Sequence, residues 1–172
     1  MTGLGAPKLR VDGASDLRIA IICTQWHGQL TDALLDGARR GVRDAGVGAD
    51  PFVMRVPGAF ELPVTASALA RSGSYDAIVA LGLVLRGDTP HFDYVCIAAT
   101  SGLTQVSVDT GIPIGFGLLT CDTFGQAKAR SGLPGSREDK GHEAAQAAIA
   151  TAVLLRTITR PVAGDRHRPT PR

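Results

Sequence analysis

The chain has 172 residues, of which 44% are apolar, a size and composition that favour one domain with a real core. No uninterrupted apolar stretch is long enough to cross a bilayer, and Met1 to Leu17 lacks the basic-then-apolar order of a secretion signal, so a cytoplasmic location is expected. The net charge of +2 is uneven: Arg160 to Arg172 holds four arginines against Asp165, and the rest of the chain carries 14 basic and 15 acidic residues. A near-neutral body offers no footprint for nucleic acid, and the proline-bearing tail, 160–172, reads as a disordered, solvated end. Cys23, Cys96 and Cys121 are odd in number and lack metal-ligand spacing, so reduced and mostly buried thiols are expected.

Residues 1–16 are rich in Gly, Pro and Ala and read as a flexible arm, with a possible short strand at Leu9 to Val11 that would pair with a neighbour. Leu17 to Thr24 is a continuous apolar run, as expected of a strand buried on both faces of a parallel sheet. From Gln29 to Ala45 the apolar residues repeat on one helix face. Pro51 to Val56 predicts a second strand and Phe60 to Arg71 a helix, with Pro63 tolerable only in its first turn. Asp76 to Leu85 predicts the third strand, His91 to Val108 a helix, and Pro113 to Leu119 the fourth strand. Thr120 to Arg130 predicts a short helix and Asp139 to Thr159 the last, with Ala145, Ala148, Ile149, Ala152, Leu155 and Ile158 inward.

Strands alternating with helices imply right-handed crossovers. The pattern predicts an α/β, flavodoxin-like three-layer sandwich over residues 17–159, a four-stranded parallel sheet with helices on both faces. The loops that follow the strands then gather at one rim, where open α/β sheets bind ligands.

Four such loops carry the chemistry. Trp26, the only tryptophan, is either a packing residue at the sheet edge or a flat wall for an aromatic ligand. Glu61 either complements a helix dipole or accepts hydrogen bonds from a ligand's ring N–H groups, together with backbone groups of Ala59 and Phe60. In the stretch Ala80 to Val95 an apolar strand ends in Arg86-Gly87-Asp88-Thr89-Pro90 and a helix begins at His91. Thr89 is a candidate N-cap before a proline at the first helical position. The helix start suits an anion, and an imidazole there suits proton transfer; the competing reading of His91 is an ordinary exposed helix residue. Arg130 and Lys140 carry bland readings of their own, dipole complementation and solvation.

Taken together these loops resemble the lumazine synthase family. The matching motifs are Arg55-Val56-Pro57-Gly58-Ala59-Phe60-Glu61-Leu62-Pro63; Ala80-Leu81-Gly82 through Arg86-Gly87-Asp88-Thr89-Pro90-His91-Phe92-Asp93-Tyr94-Val95; Gly117-Leu118-Leu119-Thr120 through Gln126-Ala127 to Arg130; and Asp139-Lys140-Gly141. The resemblance covers roughly residues 17–158, in order. It implies an enzyme of riboflavin biosynthesis that condenses 5-amino-6-(D-ribitylamino)uracil with 3,4-dihydroxy-2-butanone 4-phosphate. The products are 6,7-dimethyl-8-ribityllumazine, phosphate and water, and no metal or redox cofactor is involved. It also implies active sites between adjacent subunits of a homo-oligomer.

By position, the resemblance assigns Trp26, Ala59, Phe60, Glu61, Leu83, Val84 and Leu85 to the ribitylaminouracil, with Phe116 of a neighbouring subunit over the ring and Lys140 near the phosphate and ribityl side. It assigns Asp88, Thr89 and Arg130 to the butanone phosphate, and His91 to proton transfer. Asp88 departs from the family pattern, and a carboxylate repels phosphate, so its backbone N–H is the expected contact. The connection Gly132 to Lys140 is longer than the compact turn of shell-forming members, which favours a pentamer over a sixty-subunit shell. The alternatives are a catalytically idle flavin- or lumazine-binding storage module, a flavodoxin-like redox carrier and a structural shell protein. The loop Thr24-Gln25-Trp26-His27-Gly28 is a poor match to a Ser/Thr-rich phosphate loop, which argues against the redox carrier.

Overall fold

The computed structural model describes residues 11–159. The proposed strand around Leu9 and the basic tail therefore lie outside the described residues. Four strands, β1 (Ile19–Thr24), β2 (Phe52–Val56), β3 (Ala77–Leu85) and β4 (Ile114–Cys121), form one parallel sheet in the order β2-β1-β3-β4. The helices are α1 (Gly28–Asp44), α2 (Leu62–Arg71), α3 (His91–Thr110), the single turn α4 (Phe124–Lys128) and α5 (Lys140–Thr159). A 3₁₀ turn, Ala59–Glu61, leads into α2.

β1 is buried at every position, as its unbroken apolar run requires. Its side chains alternate between two cores. Ile19, Ile21 and Cys23 join Leu34 of α1 and Ile149 of α5 on one face. Ala20 and Ile22 join Leu62 of α2 and Leu103 of α3 on the other. Full burial of each large aliphatic side chain contributes about 1.5–3 kcal/mol, so this doubly covered strand anchors the fold. The helix pair α1–α5 comes close because Gly41 has no side chain. A β-carbon there would lie 2.8 Å from the His142 carbonyl oxygen, and Gln146 donates to the Gly41 carbonyl at 2.7 Å.

Residues 11–16 form no strand, but they are tied to the body. Ala14 is buried, Gly48 donates to the Ser15 carbonyl at 3.0 Å, and Arg156 pairs with Asp16 at 2.9 Å. Three expectations change. Thr120 and Cys121 extend β4 rather than starting a helix, because they stay in register with Val84 and Leu85 of β3. Ile158 is exposed, not inward: Arg156, one half-turn earlier, already pairs with Asp76 at the base of the sheet, so the last turn runs past the core. Thr89 is not the cap of α3. Pro90 occupies that position with helical dihedrals, and its carbonyl accepts from the Asp93 and Tyr94 amides at 3.0 and 3.4 Å.

Candidate active site

The chain leaves β1 toward β2 on one side and enters β3 on the other, so β1 and β3 flank the switch point of the sheet. Open α/β sheets bind ligands in the crevice outside the carboxyl ends of the strands at such a point. Leu83, Val84 and Leu85 end β3 on its flank, Leu83 buried and the other two half-buried.

The loops after β1 and β2 meet. Gln25 donates its amide to the Val56 carbonyl at 3.0 Å. His27 takes a left-handed conformation, φ 56°, and its carbonyl accepts the first bonds of α1. This turn throws Trp26 outward, and the residue is 67% exposed. Phe60, on the neighbouring loop, is 65% exposed. Large apolar side chains displayed together mark a ligand or partner surface. Between them lies Gly58, where a β-carbon would sit 3.2 Å from Glu61 Oε2 and 3.7 Å from Trp26 Nε1. The bare Gly58 backbone is what lets the Glu61 carboxylate and the indole share one corner. Ala59 is buried beneath this corner.

The turn after β3 carries Asp88, Thr89 and His91, all exposed. None of their side chains has a hydrogen-bond or ion-pair partner among the described residues. Arg86 frames this turn. Its Nε donates to Asp122 at 2.7 Å, and its two terminal nitrogens donate to the Asp93 carboxylate at 3.2 and 3.1 Å. The guanidinium carbon stands 4.1 Å from the ring centroid of Phe92. Hydrogen bonds to Asp93 and then Asp122 raise the Arg86 pKa further. Residue-by-residue reading of the sequence passed over Arg86, because its two carboxylate partners lie 7 and 36 positions away.

A second group gathers beyond β4. Thr123 caps α4 by accepting from the Gln126 amide, and Gln126 Oε1 accepts from the Asp122 amide at 2.9 Å. Arg130 lies just past α4 and donates to the Gln126 carbonyl at 2.9 Å. The Lys140 amide donates to the Arg130 carbonyl at 3.0 Å. The Lys140 ammonium is not simply solvated: it lies 2.6 Å from both Glu138 and Glu143. Burial pulls its pKa down, but those two carboxylates outweigh that and leave it raised. Phe116 is exposed on the edge strand β4, in register with Ala80 of β3. Among the described residues no group of three or more His, Cys, Asp or Glu side chains is placed to hold a metal ion.

The crevice thus offers a flat aromatic wall with a carboxylate beside it, and a turn with free polar groups at a helix start. This is an α/β protein with a four-stranded parallel sheet and exposed aromatic and polar groups at the carboxyl edge of that sheet. A family model described as 6,7-dimethyl-8-ribityllumazine synthase matches residues 16–156. The protein of that name from Streptomyces avermitilis is 59% identical over 161 residues, 94% of this chain and 99% of the relative. Those from Paenarthrobacter aurescens and Cutibacterium acnes are also 59% identical, over 92% and 90% of this chain and 100% and 92% of theirs. The chain belongs to the 6,7-dimethyl-8-ribityllumazine synthase family.

Proposed function

We propose that the crevice between β1 and β3 is the active site of a transferase in riboflavin biosynthesis. The enzyme condenses 5-amino-6-(D-ribitylamino)uracil with 3,4-dihydroxy-2-butanone 4-phosphate, giving 6,7-dimethyl-8-ribityllumazine, phosphate and water. The observation that carries the assignment of residues is the pairing of the Trp26–Gly58–Glu61 corner with the unpartnered turn at Asp88, Thr89 and His91.

In this reading the pyrimidine stacks on Trp26. Glu61 accepts its ring N–H groups, and Ala59 and Phe60 line the ribityl side with Lys140. Leu83, Val84 and Leu85 support the ring from β3. The phosphate sits on the turn, held by the Asp88 backbone N–H, by Thr89 and by Arg130. The primary ring amine attacks the ketone, and water leaves to give an imine. Phosphate is then eliminated. Loss of the proton from the hydroxyl-bearing carbon accompanies this elimination and leaves an enol, which tautomerises to a new carbonyl. The ribityl-bearing amine closes the second ring onto that carbonyl, with loss of a second water. His91 carries protons between nitrogen, oxygen and carbon in these steps. Alignment of the two substrates supplies most of the rate, and His91 a smaller factor.

The site is shared between copies in this reading, with Phe116, Arg130 and Lys140 coming from a neighbour. Support comes from the apolar surface left on one chain: Val64, Tyr94 and Ile97 are exposed on α2 and α3, and Phe52 and Met54 on the edge strand β2. An unpaired edge invites a strand from another chain, the role proposed for Leu9 to Val11. We favour a homopentamer, since the connection from Gly132 to Lys140 is longer than the compact turn of shell-forming members. The three free thiols fit a reducing, cytoplasmic setting. The deciding experiment mixes purified protein with both substrates and follows lumazine absorbance; no rate above the uncatalysed background would refute the assignment.

A further inference from the structure

We propose that Arg86 is a positioning residue for phosphate binding: it clamps the turn at 87–90 and the first turn of α3 against the turn that follows β4. The proposal rests on the reading of Asp88, Thr89 and His91 as the phosphate seat.

Arg86 is the first residue after β3, and its amide donates to the Cys121 carbonyl at 3.0 Å, adding one more rung to the β3–β4 ladder. Its backbone is therefore fixed to the sheet. Its guanidinium then uses all three nitrogens. One reaches Asp122, beyond β4, and two grip both oxygens of Asp93, inside α3. The Phe92 ring, buried next to His91, lies under the cation. The four residues Gly87 to Pro90 thus form a short loop closed at both ends by one side chain. Among the described residues the N–H groups of Gly87, Asp88 and Thr89 make no hydrogen bond, so this clamp and the helix start at Pro90 are what hold their backbone.

All three charged side chains are substantially exposed, at 43%, 53% and 62%. Exposed ion pairs contribute little to stability. What a bidentate, stacked arginine supplies is geometry, and lysine cannot reproduce the fork. The two carboxylates also neutralise Arg86, so it is not placed to hold the substrate's phosphate by charge.

The test uses Arg86→Lys, Arg86→Gln and Asp93→Asn in the full chain. Kinetics with both substrates are read together with hydrogen exchange of the amides from Asp93 to Ile97, the first bonded amides of α3. Each variant should fold and exchange those amides faster. KM for the butanone phosphate should rise roughly tenfold, with KM for the pyrimidine little changed. Arg86→Lys should behave like Arg86→Gln. If Arg86 instead bound phosphate directly, Lys would rescue it, and Asp93→Asn would free the arginine and lower KM; either result overturns the proposal. Unchanged exchange overturns the clamp while leaving the phosphate-seat reading standing. Faster exchange with an unchanged KM shows a clamped turn that does not seat phosphate, which defeats the reading beneath the proposal and the proposal with it.

Discussion

Arg40, on α1, donates to the carboxylate of Asp139 at 2.6 Å, and the other oxygen of that carboxylate accepts from the His142 amide at 3.0 Å. Asp139 thus caps α5 and ties it to α1 with one side chain. The same cap fixes the entry of Lys140, the next residue. Asp139→Ala removes both bonds, and loss of a helix cap costs about 1–2 kcal/mol. We expect a destabilisation of that size by urea unfolding, with a higher KM for the pyrimidine because Lys140 loses its anchor. An unchanged unfolding midpoint would show that the cap contributes nothing.

Gly58→Ala tests the corner of the crevice without touching the core. The added β-carbon would meet Glu61 Oε2 at 3.2 Å, and that flexible carboxylate moves before the backbone does. Gly58 has an extended backbone, which any residue adopts. Stability should therefore stay within about 0.5 kcal/mol, while the pyrimidine KM rises several-fold. Trp26→Ala should act in the same direction and more strongly, since stacking of a base on an aromatic ring is worth roughly 1–3 kcal/mol. Steady-state kinetics on both variants check this.

The elements were legible because each carries its own period. Buried runs such as Ile19 to Thr24 mark strands covered on both faces, and the 3.6-residue repeat marks α1. The boundaries that slipped are those set by neighbours. Thr120 and Cys121 are extended because β3 pairs with them, and Ile158 is exposed because the sheet ends beneath it. Trp26, Glu61 and His91 could be singled out from loops at strand ends. The clamp of Arg86 on Asp93 and Asp122 could not, since no local pattern links residues joined only by the fold. Lys140 was legible as a residue but not as a charge already engaged by Glu138 and Glu143.

Cys23 gives the fold an alkaline limit. Burial is the main cause that raises its thiol from 9.0 to about 11, partly offset by Arg55 and reinforced by Asp32. In the unfolded chain the thiol ionises from pH 9 upward, whereas the folded protein still holds the proton. Stability from this group is thus intact below about pH 9, falls as pH rises, and levels off above about 11, a loss on the order of 2 kcal/mol. Urea unfolding at pH 7.5, 9 and 10.5 should show a steeper decline in the native chain than in Cys23→Ala, where Cys96 and Cys121, whose thiols burial also pushes up, still contribute. Equal slopes in the two would mean that other groups cause the decline. The same buried thiol should resist alkylation at neutral pH until the protein unfolds.

Arg130 and His91 test whether the site lies between chains. Arg130 is anchored to Gln126 beyond β4, and His91 opens α3. His91→Ala should lower kcat roughly 10- to 100-fold with little change in KM, at the modest end for a proton carrier. Arg130→Ala should chiefly raise KM for the butanone phosphate, because a charge-assisted phosphate contact is lost. A pentamer of 17.9 kDa chains has a mass of five times that, about 90 kDa, which sedimentation can verify. If the two variants are dissociated, mixed in equal amounts and reassembled, random pairing gives about a quarter of the sites both an intact His91 and an intact Arg130. Activity should then exceed that of either variant alone. If both residues serve the site from one chain, no pairing can unite them, and the mixture should only average the two parents.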